Sequence, residues 1–485
     1  SGVTSLDVSN KEISDLTGIE DFTALTELWC QYNQLTNLDL SANTALTELR
    51  CDHNENLNSL DVSSNTALFR LDYFDCVATS LNVTGLTNLT ELSCGDNQLM
   101  SLDVNSNTAL AYLECSNNQL TSLDVSTNTA LSELHCQNNQ LTALDLSANT
   151  ALDYLQCGEN QLTALDISSN TALTYLEVQD NQLTSLDVSS NTALISLSCS
   201  QNQLTTLDVS NILGLHHLEI DSNQLISIDV SNNTELITLY CASNVLTSLD
   251  VSGNTSLRYL RLYNNQLTTM DLSSNIELDD LTMNNNQLTY LNMRNGITDQ
   301  YTNFKVTENP DLTCIETLDP DYATTNWTSD NGYIDAGVTF SVICGSENQD
   351  EWYVTTTGSD GSGNGTQESP FATIQTGINA SVDGNTVHVA TGTYVENINF
   401  NGKNISVIGS DRETTIIDGG ADSTFNDASG VVVFNSGETS AALLDGFTLQ
   451  NGTSFRGGGI VFTTASPTIE NLIIKNNSAL AGGGV

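Results

Sequence analysis

Cysteine is the most reactive side chain in this sequence, because a thiolate can serve as a nucleophile, a metal ligand or half of a disulfide. Eight of the 11 cysteines fall in one regularly spaced column, made up of Cys30, Cys51, Cys94, Cys115, Cys136, Cys157, Cys199 and Cys241. Tyr73, Val178, Ile220, Leu262 and Met283 occupy the same column in other turns. Valine cannot replace a ligand or a nucleophile, so this cysteine column predicts small buried apolar side chains rather than a metal site.

Aspartate forms a second column with the same period, at the start of a recurring Leu-Asp-Val/Leu-Ser segment. In such a segment the carboxylate can accept hydrogen bonds from the amides of its own turn. Carboxylates stacked about 5 Å apart would also repel one another, and extracellular calcium could offset that repulsion. Both roles stay open. The candidate metal ligands are Asp145, Asp166 and Asp187, with calcium as the possible cofactor.

Tyrosine and arginine are concentrated three residues before, one before and one after the cysteine column. We expect these side chains to point away from the core and to line the concave face of a solenoid. Tyrosine and arginine are enriched in binding hot spots, although aromatic residues are also common on any strand face. The candidate binding residues are Trp29, Arg50, Tyr112, Tyr154, Tyr175, His217, Tyr240, Tyr259, Arg261 and Tyr263.

The strongest part of this face is predicted near its C-terminal end. No lysine or arginine occurs between residues 94 and 257, so Arg261 is a cation in a strongly negative field. Tyr259 and Tyr263 flank it on one strand. An arginine beside aromatic rings can stack on them and still present its N–H groups to a carboxylate or a sugar hydroxyl.

Composition narrows the class of protein. The 485 residues include 11 lysines and arginines against 59 aspartates and glutamates, a net charge of −48. Such a surface repels nucleic acid and anionic lipid. The hydrophobic fraction of 39% is too high for a disordered chain, and no apolar run approaches the ~18 residues of a transmembrane helix. The chain begins and ends inside repeats, so we expect a fragment of a longer protein.

An internal repeat organises most of the chain. One unit reads Leu131-Ser-Glu-Leu134-His-Cys136-Gln-Asn-Asn139-Gln-Leu141, and the register covers fifteen turns in about 310 residues. Leu134 and Cys136 alternate with exposed positions, which indicates a short strand. The Asn139 column turns the chain inward and can satisfy backbone groups in the turn. The pattern resembles the leucine-rich repeat, in the 21-residue form of secreted flavobacterial proteins, over roughly residues 1–345.

The end of this solenoid needs a cap, because its last turn would otherwise expose apolar surface. Cys314 and Cys344 lie where the repeat decays, with Tyr322, Trp327 and Tyr333 between them. We predict a disulfide between these two cysteines, which requires an oxidising compartment. The predicted division is a repeat solenoid at 1–310, its cap at 311–345 and a polar linker at 346–351.

Residues 352–485 have a different pattern, rich in glycine. The segments that start at Trp352, Ser369 and Gly384 resemble the N-terminal cap of a pectate-lyase-like right-handed parallel β-helix, with a short helix at Phe371–Ile378. Two short motifs in this segment occur twice, with the same spacing between the copies. The first is Leu449-Gln-Asn451, repeated as Ile474-Lys-Asn476, and the second is Gly457-Gly-Gly459, repeated as Gly482-Gly-Gly484. The predicted fold class is therefore mainly β, with a leucine-rich-repeat arc followed by the first coils of a truncated β-helix.

Catalysis is not indicated by the residues present. Enzymes with pectate-lyase-like folds combine acidic calcium ligands with an arginine or lysine base. The basic residues of 352–485 are scattered without an acidic cluster beside them, namely Lys403, Arg412, Arg456 and Lys475. His135 and His217 have no serine or cysteine nucleophile at a matching spacing. A polysaccharide-degrading enzyme with its catalytic coils beyond residue 485 is an alternative, and so is a purely structural stalk.

The function that we predict is binding, by a secreted or cell-surface protein that captures a protein or glycan partner. The resemblance to flavobacterial surface proteins implies export by a signal peptide and a dedicated outer-membrane route such as the type IX system. Secretion machinery would then be a second partner.

Overall fold

The computed structural model describes residues 2–297, 301–346, 348–421 and 430–481. The chain separates into two units, of which the first comprises Ser1–Leu267 with Asp280–Asn286 and the second Thr268–Asp279 with Gln287–Val485. The repeat pattern predicted for residues 1–310 thus contributes to both units. Each unit is described below by itself.

Unit 1 is built from three-residue strands, one in each repeat. They are β1 (Ser5–Asp7), β2 (Glu27–Trp29), β3 (Glu48–Arg50), β4 (Arg70–Asp72), β5 (Glu91–Ser93), β6 (Tyr112–Glu114), β7 (Glu133–His135), β8 (Tyr154–Gln156), β9 (Tyr175–Glu177), β10 (Ser196–Ser198), β11 (His217–Glu219), β12 (Thr238–Tyr240), β13 (Tyr259–Arg261) and β15 (Asp280–Thr282). A 3₁₀ turn at Ile19–Asp21 precedes β2. Consecutive strands pair in parallel, with leucine opposite leucine, as in Leu134 and Leu155.

The core of unit 1 contains the cysteine column, the middle residues of the strands from β2 onward, and further leucine and valine columns such as those of Leu141 and Leu146. Leu134 and Cys136 are both 0% exposed. The free cysteines are all buried, namely the eight of the cysteine column and Cys76. The prediction that the column is structural is confirmed. Its thiols act as small apolar side chains, and burial raises the pKa of Cys157 to about 12.

A tight turn follows every strand and fixes the repeat length. Asn138 adopts a left-handed conformation with φ 52°, and Asn117 in the previous turn has φ 51°. Asparagine tolerates this region better than branched residues do. A second asparagine column, which the sequence analysis did not single out, is fully buried; Asn149 donates to the carbonyls of Val125 and Asn128 at 3.0 and 2.9 Å.

Unit 2 begins with a four-stranded parallel sheet in the order β14 (Thr269–Asp271), β16 (Tyr290–Asn292), β18 (Cys314–Glu316) and β19 (Thr339–Ser341). Strand β17 (Asn303–Lys305) and helix α1 (Pro320–Asn326) belong to the same region. Cys314 and Cys344 are joined by a disulfide with Cα atoms 6.0 Å apart. The disulfide links the first residue of β18 to the segment that follows β19.

The remainder of unit 2 is a parallel β-solenoid with a helix at its start. The elements are β20 (Glu351–Val354), α2 (Ile374–Ala380), β21 (Thr386–Val389), β22 (Gly392–Val395), β23 (Ile398–Asn399), β24 (Ser406–Gly409), β25 (Thr415–Asp418), a 3₁₀ turn (Gly419–Ala421), β26 (Val432–Phe434), β27 (Leu443–Asp445), β28 (Thr448–Gln450), β29 (Thr453–Arg456), β30 (Ile460–Phe462), β31 (Thr468–Glu470), β32 (Ile473–Lys475) and β33 (Ser478–Ala481). Helix α2 begins three residues later than expected.

Successive coils of this solenoid place their strands in separate parallel sheets. The orders are β20-β21-β24-β27-β31, β22-β25-β28-β32, β23-β26-β30 and β29-β33. Trp352, Phe371, Phe400, Phe434 and Phe447 fill the interior and are at most 1% exposed. The predicted second copy of the glycine motif, Gly482-Gly-Gly484, lies outside the described residues.

Contacts within unit 2 join the predicted cap to the β-solenoid. Arg294 forms a buried ion pair with Glu316 at 3.2 Å and donates to the carbonyl oxygens of Asp360 and Gly363. The Asn379 side chain donates to the carbonyl of Leu318 at 2.7 Å. The segments on either side of the predicted linker therefore pack directly against each other. Among the described residues, no helix is long and apolar enough to cross a bilayer.

Candidate binding face

The solvent side of the unit 1 sheet is formed by the first and third residues of each strand and by the residue after the cysteine column; we call it the sheet face. Tyr154 and Gln156 of β8 are half-buried on this side, whereas Leu155 between them is fully buried. Period-2 alternation over only three residues is sufficient to place two side chains per repeat in solvent. All ten candidate binding residues lie on this face.

The C-terminal part of the sheet face holds a cation–π pair. The guanidinium carbon of Arg261 lies 4.0 Å from the ring centroid of Tyr240. The two residues are directly opposite each other on β12 and β13. The sequence pattern predicts that Arg261 stacks on Tyr259 and Tyr263, its neighbours along the chain. The cross-strand neighbour is closer, since strands are ~4.8 Å apart and alternate residues of a strand are ~6.7 Å apart. The ring of Tyr259 instead faces Arg258, at 5.6 Å.

Two acidic residues accompany this pair. Burial raises the pKa of Asp221 to about 6, and Glu219 adds to the rise, whereas a hydrogen bond from the Ala242 N–H and the charge of Arg261 oppose it. The Ala242 N–H donates to Asp221 at 2.6 Å. His217, one strand before Tyr240, is hydrogen-bonded to Thr238 at 3.0 Å. The cluster combines a stacked cation with half-buried carboxylates.

The middle of the sheet face carries an aromatic row. The rings of Tyr154 and Tyr175 are stacked at 4.2 Å with an interplanar angle of 2°. His135 lies 5.0 Å from Tyr154 and 5.4 Å from Tyr112. Tyr154 and Tyr175 therefore cover one face of each other's rings.

Polar side chains run beside this row and connect successive strands. His135 is hydrogen-bonded to Gln156 at 2.7 Å, and Gln156 donates to Glu177 at 2.6 Å. The hydroxyl of Tyr175 donates to the same carboxylate. His135 is thus held by an amide and two rings, and no nucleophile accompanies it in these contacts.

The N-terminal end holds a third cluster. Arg50 lies 5.3 Å from the ring of Trp29 and forms ion pairs with Glu48 at 2.6 Å and with Asp72 at 3.6 Å. Arg70 also pairs with Asp72, at 3.0 Å. Arg50 and Arg261 are ten strands apart, roughly 50 Å along the sheet. The ten candidates therefore form three separate clusters rather than one pocket.

An aromatic group beside the N-terminal cluster was missed by the sequence analysis. The rings of Tyr32 and His53 are stacked at 4.1 Å, and Phe74 meets His53 edge-on at 5.0 Å. Tyr32 is 55% exposed. Tyr32 and His53 lie two residues after the cysteine column, a position not considered. The available signal was that two aromatic rings replace the usual asparagine or aspartate there in consecutive turns.

The aspartate column caps its own turns. Asp145 accepts a hydrogen bond from the backbone N–H of Ser147 at 3.0 Å, and Asp166 and Asp187 accept equivalent bonds from Ser168 and Ser189. Hydrogen bonds from the side chain and the backbone N–H of the serine two residues later lower the pKa of all three carboxyl groups. In the part of the chain that the structure describes, no group of three or more His, Cys, Asp or Glu side chains is placed to hold a metal ion.

Comparisons with known proteins identify the repeat. No protein-family model matches the chain. Internalin J of Listeria monocytogenes is 60% identical over 42 residues, which is 9% of this chain and 5% of that protein. The solved functional domain of internalin J is 38% identical with a TM-score of 0.58, and the match covers 63% of this chain and 74% of that one. The chain belongs to the internalin-related leucine-rich-repeat proteins.

A second internalin structure supports the same relationship. An internalin (inlF) of Listeria monocytogenes is 25% identical with a TM-score of 0.54, and the match covers 57% of this chain and 86% of that one. The functional domain of internalin J includes a cysteine ladder, and the buried cysteine column of the present internalin-related chain is a feature of the same kind. The sequence match to the whole of internalin J spans only 5% of that protein.

Proposed function

We propose that this internalin-related chain is a secreted or cell-surface bacterial protein that binds a protein or glycan partner through the sheet face of unit 1. The observation that carries this proposal is the pair Tyr240 and Arg261. The guanidinium of Arg261 is stacked on a tyrosine ring at 4.0 Å, and such stacking reduces the side-chain entropy that is lost when it meets a partner. Arginine and tyrosine are also the residues on which binding energy most often depends.

The electrostatics of the face favour a selective role for Arg261. The preceding part of the chain, from residue 94 to residue 257, contains no lysine or arginine. A partner that approaches this part of the sheet therefore meets a stacked cation among carboxylates such as Asp221 and Glu219. A carboxylate or a hydroxyl group of the partner can accept from the guanidinium, while partner cations or N–H groups can pair with the acidic side chains.

Two finer parts of the proposal rest on resemblance rather than on these contacts. The β-solenoid of unit 2 would be the start of a right-handed parallel β-helix of the pectate-lyase-like kind, and it would serve as a spacer or a second binding module. Export would follow a type IX-like route. Calcium bound along the aspartate column would offset part of the net charge of −48.

The proposal is tested by binding measurements on four forms of the protein. Labelled wild-type chain is applied to an array of glycans and to a display library of extracellular protein domains, and each hit is measured again with variants. Tyr240→Ala combined with Arg261→Ala should weaken binding by about 2 kcal/mol, roughly 30-fold, if the pair is a hot spot. Arg412→Ala removes the same charge from an exposed position of unit 2, outside the sheet face, and serves as the matched control.

A variant outside the sheet face defines the result that would contradict this proposal. Asp145→Ala alters a capped turn outside the sheet face. If the Asp145 variant loses binding and the Tyr240 and Arg261 double variant retains it, the binding surface is not the sheet face.

A further inference from the structure

Unit 2 contains a small aromatic cleft that has no part in the proposed binding by the sheet face. The cleft has a volume of about 270 Å³ and lies between β17, helix α1 and the turn after it. Eight residues line it: Tyr301, Thr302, Phe304, Tyr322, Asn326, Trp327, Asn331 and Tyr333. We call it the cap cleft, because it lies where the leucine-rich repeat ends.

The floor of the cap cleft is a cluster of packed aromatic rings. Trp327 and Phe304 are 5% and 3% exposed, and their ring centroids are 4.6 Å apart. Tyr301 and Tyr322 meet Trp327 edge-on at 5.7 and 6.4 Å. Tyr333 lies 6.2 Å from Phe304. Edge-to-face packing from several sides fixes the rings without covering the cleft that they border.

The rim is polar and uncharged. Thr302, Asn326 and Asn331 are exposed, and Tyr301, Tyr322 and Tyr333 are half-buried. The Tyr301 hydroxyl accepts a hydrogen bond from Asn295 at 3.2 Å, so its own proton can be donated elsewhere. None of the eight lining residues is charged, although the chain has 59 acidic side chains.

We propose that the cap cleft binds a single neutral pyranose ring, either a free sugar or the terminal residue of a neutral glycan. The C–H groups on one face of a pyranose carry partial positive charge and can pack against the half-buried tyrosine rings of the lining. Its hydroxyl groups both donate and accept, as do the amides of Asn326 and Asn331. The volume is below the ~300–1,000 Å³ typical of drug-sized ligands, which limits the occupant to about one ring.

Charge argues against the other small ligands of similar size. An anionic sugar or a carboxylate would enter the field of a chain with net charge −48 and find no cation in the lining. The hydroxyl and amide groups of the lining suit a neutral, hydroxyl-rich occupant.

The test uses saturation-transfer NMR on the whole chain. The probes are methyl β-D-glucopyranoside, methyl β-D-galactopyranoside and methyl α-D-mannopyranoside, with methyl β-D-glucuronide as the anionic comparison. We expect saturation transfer to the ring protons of at least one neutral probe, with millimolar affinity, and none to the glucuronide.

Variants at Asn331 locate the site. This side chain is exposed, and the backbone N–H of Asn331 supplies the turn bond to Thr328 at 3.3 Å, so substitution should leave the fold intact. Asn331→Ala should lower the affinity for the neutral probe about fivefold, because one hydrogen bond is lost. Asn331→Trp should abolish binding, because the larger side chain fills the cleft. Asn348→Ala, an exposed amide elsewhere in unit 2, is the matched control and should change nothing.

Three results would overturn the proposal: no transfer to any neutral probe, stronger transfer to the glucuronide, or equal binding by both Asn331 variants and the wild type. The Tyr240 and Arg261 double variant should bind the pyranosides normally. Failure of the sheet-face proposal and failure of the cap-cleft proposal are therefore separate outcomes.

Discussion

The side chain of Asn139 donates a hydrogen bond of 3.0 Å to the backbone carbonyl of Cys115, in the preceding turn. The same amide donates to Cys136 in its own turn at 3.2 Å, and its oxygen accepts from the N–H of Leu120 at 3.0 Å. One buried asparagine thus joins two consecutive turns of the solenoid. The arrangement repeats at Asn118 and Asn160.

Loss of one such asparagine should destabilise unit 1 strongly. Asn139→Ala leaves buried backbone groups of two turns without partners, and each unsatisfied group costs about 1–3 kcal/mol. We expect a loss of ~2–4 kcal/mol in the free energy of unfolding, measured by urea denaturation. Thr142→Ala, at an exposed position of the same turn, should change it by less than ~0.5 kcal/mol. Equal effects of the two substitutions would contradict the structural role of Asn139.

The cysteine column should be unreactive in the native protein. Burial raises the pKa of Cys199 to about 12 and that of Cys136 well above its usual range, so almost no thiolate forms at neutral pH. Iodoacetamide labelling followed by peptide mass spectrometry should leave both unmodified until denaturant is added. Rapid labelling of either in native buffer would show that the column opens to solvent.

The disulfide should stabilise unit 2. Cys314 and Cys344 have a sequence separation of 30, and closure of a loop of that size is worth ~3 kcal/mol in the chain-entropy account. Replacement of both by serine should lower the free energy of unfolding by about that amount, and added reductant should then have no further effect. Peptide mapping without reduction provides a direct check, since two free thiols in the wild type would refute the bond.

Acid should weaken unit 1 through the aspartate column. The carboxyl pKa values of Asp124, Asp145, Asp166, Asp208 and Asp229 are lowered, chiefly by hydrogen bonds from the serine two residues later. A folded pKa below the unfolded value of ~3.9 means that the stabilisation is fully present above that pH and is lost as pH falls through the folded value. The melting temperature should therefore fall below about pH 4. Substitution of several of these residues by alanine should flatten that pH profile.

Calcium binding by Asp145, Asp166 and Asp187 remains a proposal, motivated by the net charge of −48. If cations bridge successive carboxylates, thermal melting with calcium should occur several degrees higher than with a chelator at equal ionic strength. The triple variant with alanine at these positions should not show the difference. Identical curves for the wild type would leave turn capping as the only role of the column.

The sequence by itself determined the repeating part of this protein. A constant repeat period places each residue beside its equivalent in the next turn, as Tyr154 lies opposite Tyr175. The register of the sheet, the buried cysteine column and the Asn139 column therefore follow from the spacing. A solenoid is nearly one-dimensional, because each turn contacts mainly its neighbours. Local pattern is then enough to predict which side chains are buried.

Only the tertiary structure decided the contacts that depend on side-chain packing or on segments without a period. Arg261 stacks on Tyr240 rather than on Tyr259 because the cross-strand distance is shorter than the distance along the strand. The stack of Tyr32 on His53 arises from side chains that leave a turn. The cap cleft assembles Tyr301, Trp327 and other rings from different elements, and no spacing relates them. Such packing depends on distant parts of the chain folding together, which periodicity does not encode.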